Sequence, residues 1–244
     1  MALTNSLYNA LPKLSNIQGF WRMEEESGTR ADLSNNANTL QDNNTVLYAA
    51  GKIGNAADFE KDTSEYLSIT DAAQTGLDIT GEISILCWVK PEIVDSSRRV
   101  IIGKWKETTN RCYLLFIHES DVFSGRVTSD GATAVSAVSA TTPIAGTWYH
   151  VGFTLNQVTD VIQVYVNGLA DGDPVAFANN IADKTDANFL IGCDATPSWY
   201  FDGLIDEAIV WNTCLTAGEV LKVYNINTLA KYKKIGGAFL LNFI

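Results

Sequence analysis

Short runs in which apolar and polar residues alternate recur along this chain, separated by Gly, Asn, Asp and Pro. A period of two predicts strands, not helices. In EISILCWVKP (82–91), Ile83, Ile85, Cys87 and Val89 alternate with Ser84, Leu86, Trp88 and Lys90. Both sets are largely apolar, the pattern of a strand covered on both faces inside a two-sheet stack. RVIIGKW, RCYLLFIH, TWYHVGFTLN, DVIQVYVNG and ANFLIGC extend the series. Asn167-Gly168 after VIQVYV predicts a tight hairpin, because a type I′ turn needs two residues that tolerate positive φ.

The period changes once. TAGEVLKVYNI places Val220, Leu221, Val223 and Tyr224 at helical spacing, with Thr216 as N-cap and Glu219 three residues on. The chain therefore reads as all-β, an antiparallel two-sheet sandwich with one short helix near its end. No repeat and no low-complexity linker divides it. Residues 1–16 and 227–244 lie outside the strand series and read as arms around a body spanning 17–226. The tail KKIGGAFLLNFI ends in an apolar run that is either a last strand folded back on the sheet or an arm docked on another subunit.

Composition narrows the partners. Hydrophobic residues make up 46% and charged residues 18%, a globular composition. Seventeen Lys and Arg face 28 Asp and Glu, for a net charge of −11, which repels a nucleic acid at long range. The amino terminus lacks the basic and apolar regions of a secretory signal, and no stretch is long and apolar enough to span a bilayer. Cys87, Cys112, Cys193 and Cys214 are widely spaced and read as reduced and mostly buried. His118 and His150 lie in separate apolar runs, a poor basis for a zinc site.

Several motifs in sequence carry a resemblance. GFWRMEEESGTRADLSNNANTL (19–40), GKIGNAADFEKDTSEYLSI (51–69), ISILCWVKPE (83–92), GTWYHVGFTLN (146–156), VYVNG (164–168) and FDGLIDEAIVWNTCLTAGEV (201–220) follow one another. Together they resemble the laminin-G-like, concanavalin A-like jelly-roll family over residues 17–226. Two departures stand out: Phe59 is followed by Glu60 and Lys61 instead of Asp-Gly, and the family's Ser-Gly-Asn turn becomes Ser34-Asn35-Asn36.

The stretch FDGLIDEAIVW raises the question of catalysis. A retaining glycosidase needs two carboxyls on one face of a strand, about 5–5.5 Å apart. Read as regular strand, Asp202 and Asp206 share a face with Leu204 between them, while Glu207 points the other way with Ile205 and Ile209. The central acid is missing. Glu119 and Asp121 share a face if HESDVFSG is strand, again with no third acid. No nucleophile elbow, P-loop or H-E-x-x-H is present, so the chain reads as non-enzymatic.

The resemblance implies a structural Ca²⁺ at Asp206, with Glu24 or Asp32 approaching it; the alternative is a fold-closing strand whose acids pin loops, Asp206 by accepting backbone amides and Glu207 by pairing with a basic residue. The resemblance also implies sugar recognition by loops or a sheet face, for which Trp199 and Tyr200 in ATPSWYFDG and Trp105 before KETTNR are the candidates. The expected function is a virion structural protein of a bacteriophage, a decoration, fibre or spike subunit at the virion surface. It would assemble with itself or other virion proteins and bind glycans. The alternative is a free-standing carbohydrate-binding module.

Overall fold

The computed structural model describes residues 9–196 and 198–233, with side chains through residue 226. Among the described residues, sixteen strands form two sheets, and every pairing between named strands is antiparallel. The first sheet holds β1 (Ile17–Trp21), β3 (Leu47–Ala50), β4 (Asn55–Phe59), β6 (Ile83–Pro91), β11 (Tyr149–Asn156), β12 (Val161–Val166), β13 (Leu169–Ala170), β14 (Val175–Ala176) and β16 (Gly203–Trp211). The second holds β2 (Gln41–Asn43), β5 (Tyr66–Ile69), β7 (Arg99–Lys106), β8 (Asn110–Ile117), β9 (Phe123–Thr128), β10 (Ala134–Val138) and β15 (Phe189–Ile191). One α-helix, α1 (Ala217–Lys233), follows the last strand. The architecture is the expected jelly-roll sandwich.

The main core lies between the sheets. Alternation along β6 sends Ile83, Ile85, Cys87 and Val89 inward, where they meet Tyr113, Leu115 and Ile117 of β8 and Phe153 of β11. Trp21 joins them, fully buried and stacked on Phe189 with ring centres 5.1 Å apart. The sheets approach closely at Gly125 of β9, where an added Cβ would lie 2.3 Å from the Phe153 ring. Only a residue without a side chain fits there.

Leu86 of β6 points outward and joins a second cluster with Phe20, Ile209, Trp211, Val220 and Val223. Helix α1 thus covers the outer face of the first sheet. Its start is the expected capping box: the Thr216 amide donates to Glu219 Oε2 at 2.8 Å, and the Glu219 amide donates back to Thr216 Oγ1 at 3.3 Å. The helix runs further than its sequence pattern, across the expected boundary at 226/227 to Lys233. Residues 9–16 pack on the same outer face. Leu11 is buried in the same outer cluster, and Pro12 O accepts the Trp211 indole N–H at 3.1 Å. Residues 1–8 and 234–244, including the apolar tail, lie outside the described residues.

Asn167 and Gly168 both take positive φ, 52° and 82°, and turn β12 into β13. The four cysteines are free, and three are buried.

Candidate functional site

The carboxylates of the closing strand occupy the first sheet. The register of β16 against β6 slips between Asp206 and Ile209, and Glu207 takes a φ of 49°, a β-bulge. The extra residue inverts the alternation. Ile205, Ala208 and Val210 face the core, whereas Ile209 and Trp211 face outward, so Ile209 does not share a face with Ile205 as a regular strand requires. Asp206 and Glu207 are both buried. Glu207 Oε1 accepts from Arg22 Nε at 2.7 Å, and Arg22 Nη2 reaches Glu24 Oε1 at 2.9 Å.

This donor set does not fit the calcium ion that the family resemblance implies. The Arg22 guanidinium already bridges Glu24 and Glu207. Glu24 Oε2 is taken by the Asn55 amide, and Asp206 Oδ2 accepts the Ile53 amide at 2.9 Å. Asp32 lies in a different knot: its carboxylate accepts the amides of Phe20, Ser34 and Asn38 and the Ser34 hydroxyl, which closes the loop after β1. One buried oxygen, Asp206 Oδ1, has no hydrogen-bond partner. Among the described residues, no group of three or more His, Cys, Asp or Glu side chains is arranged to hold a metal. These acids pin loops.

The second sheet presents a different surface. Leu114 and Phe116 of β8, Val100 and Trp105 of β7 and the partly exposed Trp199 form a third cluster, on the side of the sheet away from the core. Pairing sets its rows. Val100 stands opposite Phe116, which stands opposite Ser124; Gly103 stands opposite Leu114, which stands opposite Arg126 and then Ser136. Among the described residues no helix covers this face; arginines do. The Arg98 guanidinium lies 4.1 Å from the Trp199 ring centre and 5.5 Å from Phe116. Arg126 lies 4.5 Å from Phe116, and Arg111 lies 5.6 Å from Trp105. These are cation–π distances.

Two glutamates tie the lattice together. Glu119 Oε1 lies 2.5 Å from Arg98 Nη2. Glu107 takes the Trp105 indole N–H at 2.8 Å, pairs with Arg111, and lies 3.7 Å from Arg98. Burial works to raise both carboxyls, but their hydrogen bonds prevail and hold each below its ordinary range. A glycosidase acid needs the opposite shift. Glu119 and Asp121 also fail to form the strand pair considered above, because residues 118–122 are a turn and Asp121 is spent on the Ser96 amide and hydroxyl.

Three aromatics expected to contact sugar thus have different placements. Trp105 is 1% exposed beneath the arginines and offers no free face, a correction to the sequence reading. Trp199 belongs to the same cluster but is partly exposed, with a φ of 49° and its carbonyl accepting the Val100 amide at 2.9 Å. That left-handed conformation costs a tryptophan on the order of 1–2 kcal/mol. Tyr200 turns instead toward Tyr66, 6.3 Å between ring centres. Arg98, Arg111, Arg126, Glu107 and Phe116 were not singled out from sequence. The available signal was Arg126, a charge in the middle of the short run FSGRVT. Elsewhere, an open cleft of about 300 Å³ is lined by Gln18, Gly76, Asp78, Thr80, Glu82 and Asn212 among others, and has no aromatic wall.

A profile of the concanavalin A-like lectin/glucanases superfamily matches residues 61–221. No curated protein sequence matches the chain. Among solved structures, domain 4 of AbnA, a GH43 extracellular arabinanase from Geobacillus stearothermophilus, in complex with arabinotriose, is similar at a TM-score of 0.64 and 19% identity. The alignment covers 86% of this chain and 98% of that domain. The binding domain of Paraclostridial Mosquitocidal Protein 1 aligns at a TM-score of 0.68 and 12% identity over 87% of this chain. The botulinum neurotoxin serotype D ligand binding domain in complex with N-acetylneuraminic acid aligns at 0.63 and 12% over 90%. This chain spans about half of each toxin domain, 52%. Identities this low carry the fold.

Proposed function

This chain belongs to the concanavalin A-like lectin/glucanase superfamily, and we propose that it is a non-catalytic, lectin-like module that binds glycans on the outer face of its second sheet. One observation carries the reading. Both sheets have apolar clusters on their outer faces, but the first is covered by α1 and residues 9–16, whereas the second is capped by arginines and glutamates with Trp199 at its margin. The exposed part of Trp199 suits the C–H face of a sugar, and the guanidiniums and carboxylates beside it suit its hydroxyls. The arabinotriose bound to one structural neighbour supports this reading. On a glycan array, Trp199→Ala is expected to weaken the best ligand by about 1–2 kcal/mol, the loss of one stacking face. A wild-type protein that binds no glycan overturns the proposal.

A second reading keeps the fold and changes the setting: a bacteriophage virion subunit at the particle surface, with glycan binding multiplied by repeated copies. One feature favours it. Strand β3 ends the first sheet, and its Leu47 and Tyr48 are 53% and 43% exposed. An open edge with apolar side chains is a template for pairing with another chain. Light scattering after size exclusion is expected to give a defined oligomer that Leu47→Lys dissociates. A monomer at all concentrations removes this reading and leaves the first intact.

A further inference from the structure

The outer face of the second sheet holds one group that a neutral sugar does not require. Arg126 stands in the middle of β9, between Leu114 of β8 and Ser136 of β10. Its guanidinium lies over Phe116 and 5.9 Å from the Trp105 ring centre. Nε donates to Ser136 Oγ at 2.6 Å. Arg98 and Arg111 are engaged with Glu107 and Glu119. Among the described residues Arg126 forms no ion pair, and its terminal nitrogens meet no protein acceptor.

The bond at Nε fixes the plane of the guanidinium and leaves the two terminal nitrogens as a fork, the geometry that matches the paired oxygens of a carboxylate. Three guanidiniums against two carboxylates make this patch locally positive on a chain whose net charge is −11. Burial, then the charge of Arg98, lowers Arg126 to about 10, with Glu119 and Glu107 opposing. The group therefore stays charged at neutral pH but is poorly solvated, and an anion would restore what burial removes.

We infer that Arg126 reads a carboxylate on the bound glycan, so that the ligand class is a glycan carrying isolated uronic-acid-type carboxylates on an otherwise neutral chain. The inference rests on the glycan-binding reading above. Isolated charges are specified because a dense polyanion would meet Glu107, Glu119 and the negative field of the whole protein.

The test uses the full chain against oligosaccharides containing single glucuronate or galacturonate residues. Their carboxyl-reduced counterparts and the same chains bearing a sulfate in place of the carboxylate complete the array. Wild-type protein is expected to prefer the carboxylate form about tenfold or more over the reduced form, the size of a charge-assisted hydrogen bond. Arg126→Gln is expected to remove that preference, and Arg126→Lys to lose most of it because the fork is gone while the charge remains. A thermal melt checks that each variant is folded. Equal binding of carboxylate and reduced forms by wild type overturns the inference and leaves glycan binding standing. A sulfate preference at Arg126 overturns the carboxylate assignment. If none of the three forms binds, the inference is overturned, and the broader glycan array decides separately whether the reading it rests on stands.

Discussion

At the scale of single residues, the most informative groups are ionisable and buried. Burial lifts Glu207 to about 7, opposed by Arg22, and burial with the Glu207 charge lifts Asp206 well above the carboxylate range. Carboxyls raised in this way bind protons on folding. For Glu207 the resulting stability contribution is complete below the unfolded value near 4.5 and is lost as pH rises through about 7; Asp206 acts in the same sense. His150 acts in the opposite sense. Burial lowers it from 6.5 to about 3, so its contribution is present above 6.5 and lost as pH falls toward 3. Between pH 8 and 6.5 the carboxyls dominate this group of three. The melting temperature is expected to rise on acidification over that interval, and Glu207→Gln to flatten the rise. A wild-type midpoint that falls instead contradicts the assignment. Both ring nitrogens of His150 lack partners, and the ring packs against Trp88 and Tyr224, which also touch each other. His150→Phe is therefore expected to raise stability at pH 5 by about 1 kcal/mol or more, as an unsatisfied buried group disappears.

At the scale of elements, what was legible in the sequence was local. The alternation of β6, the Asn167-Gly168 turn and the Thr216–Glu219 capping box each depend on residues within a few positions of one another. Each is present in the structure. The bulge at Glu207 was not legible. It inserts one residue without a glycine to mark it, and only pairing with β6 reveals the slip. The arginine lattice was hidden for the same reason: Arg98, Arg111 and Arg126 come from a loop and two strands, and registers between strands bring them together. Trp105 was misplaced because a tryptophan before a polar turn looks the same whether or not arginines lie above it. The local elements are directly testable by urea denaturation. Gly168→Ala is expected to cost about 1–2 kcal/mol, since the residue must keep a left-handed φ. Its new Cβ would also lie 2.9 Å from Tyr224 Cβ. Thr216→Ala is expected to cost about 1 kcal/mol through loss of the cap.

At the scale of the molecule, a positive patch on a strongly negative protein separates two kinds of anion. Long-range repulsion from a net charge of −11 opposes a densely sulfated chain, while a single carboxylate can profit from Arg126 at close range. At about physiological ionic strength, where the screening length is roughly 8 Å, the protein is expected to pass through a heparin column unretained. Firm retention would show that the patch outweighs the overall field.

The pairing of β1 with β16 also has a consequence in time. Trp21, in the core, is held in a strand that among the described residues pairs with one named strand, Gly203–Trp211, and bridges Asp32. Trp21 can bridge Asp32 and donate its indole N–H to Asn38 O as soon as those residues exist, but its strand pairing with β16 waits for the whole intervening body. Pairing of segments this far apart is intrinsically slow, because the loop between them must be closed before the contact rewards it. Until it happens, the edge of β1 that β16 covers stays unpaired.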